Sequence, residues 1–228
     1  LQKAQAPACA ALILIQEFAM SALAPRRALV VIDVQNEYIT GKFRIEYPDV
    51  ATSLPNICRA MDAARAASVP IVLVQHVLPA AAPIFAAGSD GVALHASIVA
   101  RPYDHLIEKE LPSVFAGTDF RIWLREHEID TIAVVGYMSH NCNDSTIRQA
   151  MHEGFEVEFL SDAAGSLPYK NRAGSASAKQ IHEVVCVVME STFAAVISTD
   201  EWIASLKSRE RPPRDNIFSS NQRAVAGR

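Results

Sequence analysis

In the run TIAVVGYMSHNCNDSTIRQAMHEG, residues 131–154, one cysteine, Cys142, follows an apolar stretch and a polar loop and sits where a helical pattern opens. A helix start carries unpaired amides and a partial positive charge, so a thiol in its first turn has a reason to ionise and act as a nucleophile. Free cysteine is also a small hydrophobe that fills cores, and position alone leaves both roles open. Asp33 closes the apolar run ALVVID, where a carboxylate either bonds loop amides or faces a site. His76, near the end of PIVLVQHV, is a candidate base for a Cys-His dyad. Lys109, in IEKELPSVFAGTDF, reads by itself as an ordinary solvated lysine. Cys58 and Cys186 lie on apolar helical stripes and read as packed thiols. His182 and Cys186 are one helical turn apart, but two ligands alone make no metal site.

For such distant residues to act together, the chain must bring several strand ends to one place. ALVVID (28–33), PIVLVQHV (70–77), TIAVVG (131–136) and FEVEFLSD (155–162) are the strong strand candidates, the first and third continuously apolar as in parallel strands buried on both faces. Helical spacing predicts helices over 54–68, 118–129, 141–154 and 175–190, while FAAVISTDEWIASL (193–206) reads as a strand and then a helix capped at Ser198 or Thr199. LIEKEL is extended, and 79–104 is a long excursion over the strand tips. Repeated β-α units predict a mainly parallel, doubly wound sheet between two helical layers, a three-layer α/β/α sandwich of Rossmann-like form. Ligands in such folds gather at the carboxyl ends of the strands, which selects Asp33, His76, the loop after Gly136, and Asp162.

A chain of 228 residues with net charge -4 and pI near 6.0 has no basic excess with which to neutralise a phosphate backbone, so nucleic acid is not expected as a partner. The apolar run of residues 8–15 is cut short by Gln16 and Glu17, well below the roughly 20 residues of a membrane span. A secretory signal is a rival reading of that run, although Lys3 is the only positive charge ahead of it. Cysteines at 9, 58, 142 and 186 form neither a disulfide framework nor paired zinc ligands, and a reducing, cytoplasmic setting is expected. We divide the chain into an N-terminal extension (1–26), within which Met20 is a candidate natural start, a main domain (27–207) and a C-terminal tail (208–228) that packs on a partner or stays mobile.

Three segments in order, LVVIDVQNEY, EKELPSVFAGTDF and GYMSHNCNDST, resemble the isochorismatase-like cysteine hydrolases. In that family an Asp after the first strand, a Lys ahead of an F-x-G-T turn and a Cys after a G-x-x-x-x-x-C loop form a triad. The resemblance runs from about Ala28 to Leu206 and implies Asp33, Lys109 and Cys142, displacing the His76 dyad. It also implies an oxyanion hole from the backbone amides of Met138 and Cys142, with a cis peptide at Tyr137-Met138.

The expected activity is hydrolysis of a C-N bond in a small amide, ureido or carbamoyl compound through a thioester, since isochorismatase itself lacks the cysteine. Nicotinamidases carry an Asp-x-His metal motif after the second strand; VLVQHVLP has His76 but no acid two residues before it, so neither a metal nor another cofactor is expected. Loop position nominates Gln35, Tyr38, Phe85, Phe115, Tyr137 and His140 as substrate-binding residues around a small-molecule pocket. The resemblance further implies a homo-oligomer. The rival functions are a non-catalytic binding protein on the same fold and a metal-assisted amidase of the nicotinamidase kind.

Overall fold

The computed structural model describes residues 24–227. Its strands are β1 (Arg27–Ile32), β2 (Ile71–His76), β3 (His105–Lys109), β4 (Thr131–Tyr137), β5 (Glu156–Gly165), β6 (Tyr169–Asn171), β7 (Gly174–Ala176) and β8 (Ala195–Ile197). Six of them form one parallel sheet in the order β3-β2-β1-β4-β5-β8, and β6 and β7 form a separate antiparallel hairpin. The N-terminal extension lies almost entirely outside the described residues.

Every residue of β1 is buried. Ala28, Val30 and Ile32 enter one core, while Leu29 and Val31 enter the other, which is why the run is continuously apolar instead of alternating. The first core is closed by α4 (Phe120–Glu126), α5 (Asp144–His152) and α6 (Ala178–Val188), through residues such as Phe120, Leu124, Ile147 and Val185. The second is closed by α2 (Val50–Ala66), α3 (Ala96–Val99) and α7 (Thr199–Ser208), through Ile57, Met61, Ile98 and Trp202. The three-layer α/β/α sandwich is therefore the observed fold. A short α1 (Asn36–Ile39) follows the first strand.

Several boundaries differ from the sequence expectations for local reasons. Helix α2 begins at Val50 instead of Leu54, because Asp49 caps it by accepting from the Ala51 amide at 2.7 Å. Strand β5 runs past Asp162 to Gly165, and its register against β4 shifts between Val134 and Gly136. The helix expected from 175 starts at Ala178 with a reciprocal Ser177–Gln180 capping box, the preceding residues being spent on the hairpin.

The tail neither stands free nor waits for a partner over its first part. The Glu210 carbonyl accepts from Arg27 at 2.7 Å, Arg211 binds Asp130 at 3.0 Å, and the Asp215 amide donates to Glu190 at 3.0 Å. These contacts fasten it along the N-terminal rim of the sheet, next to a buried Arg27–Glu158 pair at 2.8 Å whose carboxylate also accepts from Trp202 Nε1 at 2.8 Å. The final helix, α8 (Ile217–Ala226), buries none of its residues. Among the described residues no helix is long and apolar enough to cross a membrane.

Candidate active site

Strand order sets the carboxyl ends of β3, β2, β1 and β4 side by side, carrying Lys109, His76, Asp33 and the turn after Tyr137. Asp33 follows β1 with φ of 51°, a left-handed turn; its amide donates to the Val74 carbonyl at 2.9 Å. Lys109 Nζ then meets Asp33 Oδ2 at 2.8 Å and Cys142 Sγ at 3.4 Å. The Lys109 and Asp33 side chains are both 0% exposed, and Cys142 is 3% exposed. The Asp33, Lys109 and Cys142 side chains thus lie together, although the sequence separates them widely.

Burial works against the Lys109 ammonium, but Asp33 and Cys142 together hold its pKa above the ordinary value, so it is charged. The Cys142 thiol does not sit in a regular first turn, and it is not held ionised as a helix start would imply. Cys142 lies in a π turn, Ser139–Asn143, ahead of α5, and its pKa is raised: burial pushes it up, the Asp33 charge adds to this, and Lys109 only partly offsets both. The raised value favours the neutral thiol at rest. Asp33 Oδ1 is buried and receives no hydrogen bond from the described residues.

The π turn is tied at several points. Asn143 Nδ2 donates to the Gly136 carbonyl at 2.9 Å; Thr146 Oγ1 donates to the Cys142 carbonyl at 2.7 Å and accepts from the Val114 amide at 3.1 Å. Ser139 Oγ lies 2.9 Å from His182 Nδ1, in a region where burial holds the imidazole pKa at about 4. Gly136 has φ of 102°, and a Cβ there would stand 2.1 Å from the Ile32 carbonyl oxygen, so β4 approaches β1 as only glycine allows. The Tyr137-Met138 peptide is cis. The Met138 amide meets no acceptor among the described residues, and the Met138 carbonyl accepts from the Asn141 and Asn143 amides at 3.1 and 3.2 Å.

The nominated pocket residues divide. Tyr38 packs on Phe85 at 5.0 Å between ring centroids, and burial above all raises its pKa; Phe85 in turn meets the His76 ring at 5.3 Å. His140 hydrogen-bonds Ser166 at 3.0 Å, leaves Nε2 buried without a partner among the described residues, and stands edge-on to Tyr169 at 5.0 Å. Three others are committed elsewhere. Phe115 packs against Phe120 and Phe155 in the core. Tyr137 is fully buried with its hydroxyl on Ser53 at 2.8 Å. Gln35 spends its amide on the backbone of His76 and Val92.

Sequence reasoning missed Tyr169, Thr146 and the Ser139–His182 contact; only the polar run NCNDST hinted at an anchored turn. A cavity of about 550 Å³ lies beside the end of β3, lined by Val77, Leu78, Lys109, Leu111, Ala116 and Gly117, although the Lys109 side chain itself is shielded from solvent. Among the described residues no group of three or more His, Cys, Asp or Glu side chains is arranged to hold a metal ion.

The chain is similar to known proteins over most of its length. A family model described as Isochorismatase domain matches residues 27–201. A solved structure of a candidate isochorismatase from Burkholderia xenovorans LB400 is 59% identical, with a TM-score of 0.89, over 90% of this chain and 98% of that one. The secreted isochorismatase effector Isc1 of Verticillium dahliae is 31% identical over 173 residues, 76% of this chain and 88% of its own length. A ureidoacrylate amidohydrolase of Pseudomonas syringae pv. syringae is 25% identical, covering 81% of this chain and 85% of its own.

Proposed function

The chain belongs to the isochorismatase family of hydrolases, and on that premise we propose that it cleaves a C-N bond in a small amide, ureido or carbamoyl compound, with Asp33, Lys109 and Cys142 acting as one unit. The observation that carries this reading is a single buried ammonium in contact with both a carboxylate and a thiol. A packed, inert cysteine needs neither neighbour.

Asp33 Oδ1 takes the Cys142 proton as Sγ attacks the substrate carbonyl, and Lys109 stabilises the charge on both partners throughout. The amides of Met138 and Cys142 receive the oxyanion; a donor of this kind is typically worth about 10²- to 10³-fold in rate. Protonated Asp33 then gives its proton to the leaving nitrogen, the C-N bond breaks, and a thioester remains. Asp33 next removes a proton from water, which attacks the thioester and releases the carboxylic acid or carbamate; the thiol is restored. The three groups pass one proton back and forth and need no net change in charge.

Tyr38, Phe85 and His140, with Tyr169, border this centre and are assigned to the substrate. A compact, partly planar substrate suits aromatic walls, and the likeness to a ureidoacrylate amidohydrolase supports the ureido and carbamoyl members of the class. We assign the hydrolase unit to residues 27–207, a homo-oligomeric state to the protein, and a reducing, cytoplasmic setting in which Cys58, Cys142 and Cys186 stay free, as they are here. Ammonia release across a panel of small amides, ureido acids and carbamoyl compounds tests the reading. Turnover of at least one member by the wild type and none by Cys142→Ala is expected; equal turnover by both places the chemistry elsewhere.

A further inference from the structure

We propose that His76 is a positioning residue of the active centre: its Nδ1 is the third acceptor of the Lys109 ammonium and fixes where that charge sits. This rests on the cysteine-hydrolase reading above.

Lys109 and His76 are in-register partners on the neighbouring parallel strands β3 and β2, so their side chains leave the same face. Asp33 follows directly on β1, one strand further on. The two strands lie roughly 10 Å apart, two inter-strand spacings, so the lysine and the carboxylate meet over the end of β2. The residue at that end of β2 is His76. An ammonium has three N–H donors. Here they find Asp33 Oδ2 at 2.8 Å, Cys142 Sγ at 3.4 Å and His76 Nδ1 at 3.4 Å, which accounts for all of them.

His76 is itself held firmly. Its amide donates to Gln35 Oε1 at 2.9 Å, and its carbonyl accepts from Gln35 Nε2 at 2.8 Å. The ring stands edge-on to Phe85, and the next amide, of Val77, donates to the Lys109 carbonyl at 2.9 Å. Gln35, which the sequence nominated for the substrate, thus has a use one step removed from it. An Nδ1 that faces an ammonium must accept, so the ring is neutral with its hydrogen on Nε2. Burial and the Lys109 charge lower the His76 pKa, while Asp33 and Glu110 act in the opposite direction. A neutral imidazole also adds no second positive charge beside the lysine.

The test uses the full chain and needs no substrate, because iodoacetamide is itself a small primary amide able to report on Cys142. Rates of Cys142 alkylation near neutral pH are read by peptide mass spectrometry for wild type, His76→Asn, which keeps an acceptor close to Nδ1, and His76→Leu, which keeps bulk without one. Thermal melting checks that each variant is folded, and His76→Ala stands in if the leucine variant is not. With one charged hydrogen bond at stake, the acceptor-free variants should react about tenfold or more slowly, and His76→Asn should stay within about threefold of wild type. A packing role predicts the reverse order, since leucine suits Phe85 better than asparagine does. Wild-type rates in the acceptor-free variant, or an asparagine variant as slow as it, overturn the assignment to His76 alone. A wild-type Cys142 no faster than Cys58 overturns the nucleophile reading and the proposal with it.

Discussion

Lys109 Nζ and Asp33 Oδ2 meet at 2.8 Å with both side chains shielded completely from solvent. Such a pair gains little over a well-packed apolar one, but breaking it strands a charge. Lys109→Met should cost about 3–5 kcal/mol in urea unfolding, the usual penalty for leaving a buried ion alone. Lys109→Met with Asp33→Asn should recover part of that loss while remaining inactive. Full activity in either variant would separate the ion pair from catalysis.

At the opposite end of the sheet, Arg27 and Glu158 form a second buried pair, which also receives Trp202 and the Glu210 carbonyl. Glu158→Ala leaves the guanidinium without its counter-charge and the indole N–H without its acceptor, and about 3–5 kcal/mol of stability should be lost. Since the pair adjoins the anchored start of the tail, limited proteolysis should cut near Arg209 faster in that variant.

Acid stability should carry the signature of His182. Burial holds its pKa at about 4 in the folded state, against an ordinary 6.5, so the unfolded chain binds the proton more readily between those values. The stability contributed by the neutral ring is present above pH 6.5 and is lost as pH falls toward 4, by up to roughly 3 kcal/mol. Chemical denaturation at intervals across this window should show the fall in wild type and a shallower one in His182→Asn. Equal slopes would assign the acid sensitivity to other groups.

Much of this frame was legible in the sequence because the physics is local. Buried parallel strands must be apolar on both faces, so ALVVID and TIAVVG announced β1 and β4. Lys109 shows the limit: by itself it is a solvated lysine, and what buries it is its in-register place beside β2 and the reach to Asp33. Cys142 shows another, since the apolar spacing of an α-helix and of a π turn running into one is nearly the same over so few residues; the hydrogen-bond shift that moves the thiol out of a regular first turn leaves no mark in residue type. Phe115 and Tyr137 look like pocket aromatics from loop position, yet Phe120, Phe155 and Ser53 draw them into the core. The tail reads as a segment that packs on a partner or stays mobile, because Asp130 and Glu156, which pair with Arg211 and Arg214, come together only in the fold.

Gly136 is where the site depends most directly on backbone alone. Gly136→Ala would force a Cβ to within 2.1 Å of the Ile32 carbonyl at a φ of 102°, a combination of overlap and strain that no side-chain movement relieves. Loss of soluble folded protein, or a destabilisation above about 4 kcal/mol, is expected. A variant with wild-type melting would show that the β1–β4 approach is looser than this.

The central claim is a covalent bond to Cys142, and acid-quenched intact mass spectrometry during turnover of the best substrate found in the amide and ureido panel tests it most directly. The expected result is a transient adduct equal in mass to the acyl or carbamoyl fragment, mapped to Cys142, labile to hydroxylamine and missing in Cys142→Ala. Undiminished turnover in Cys142→Ala would contradict it.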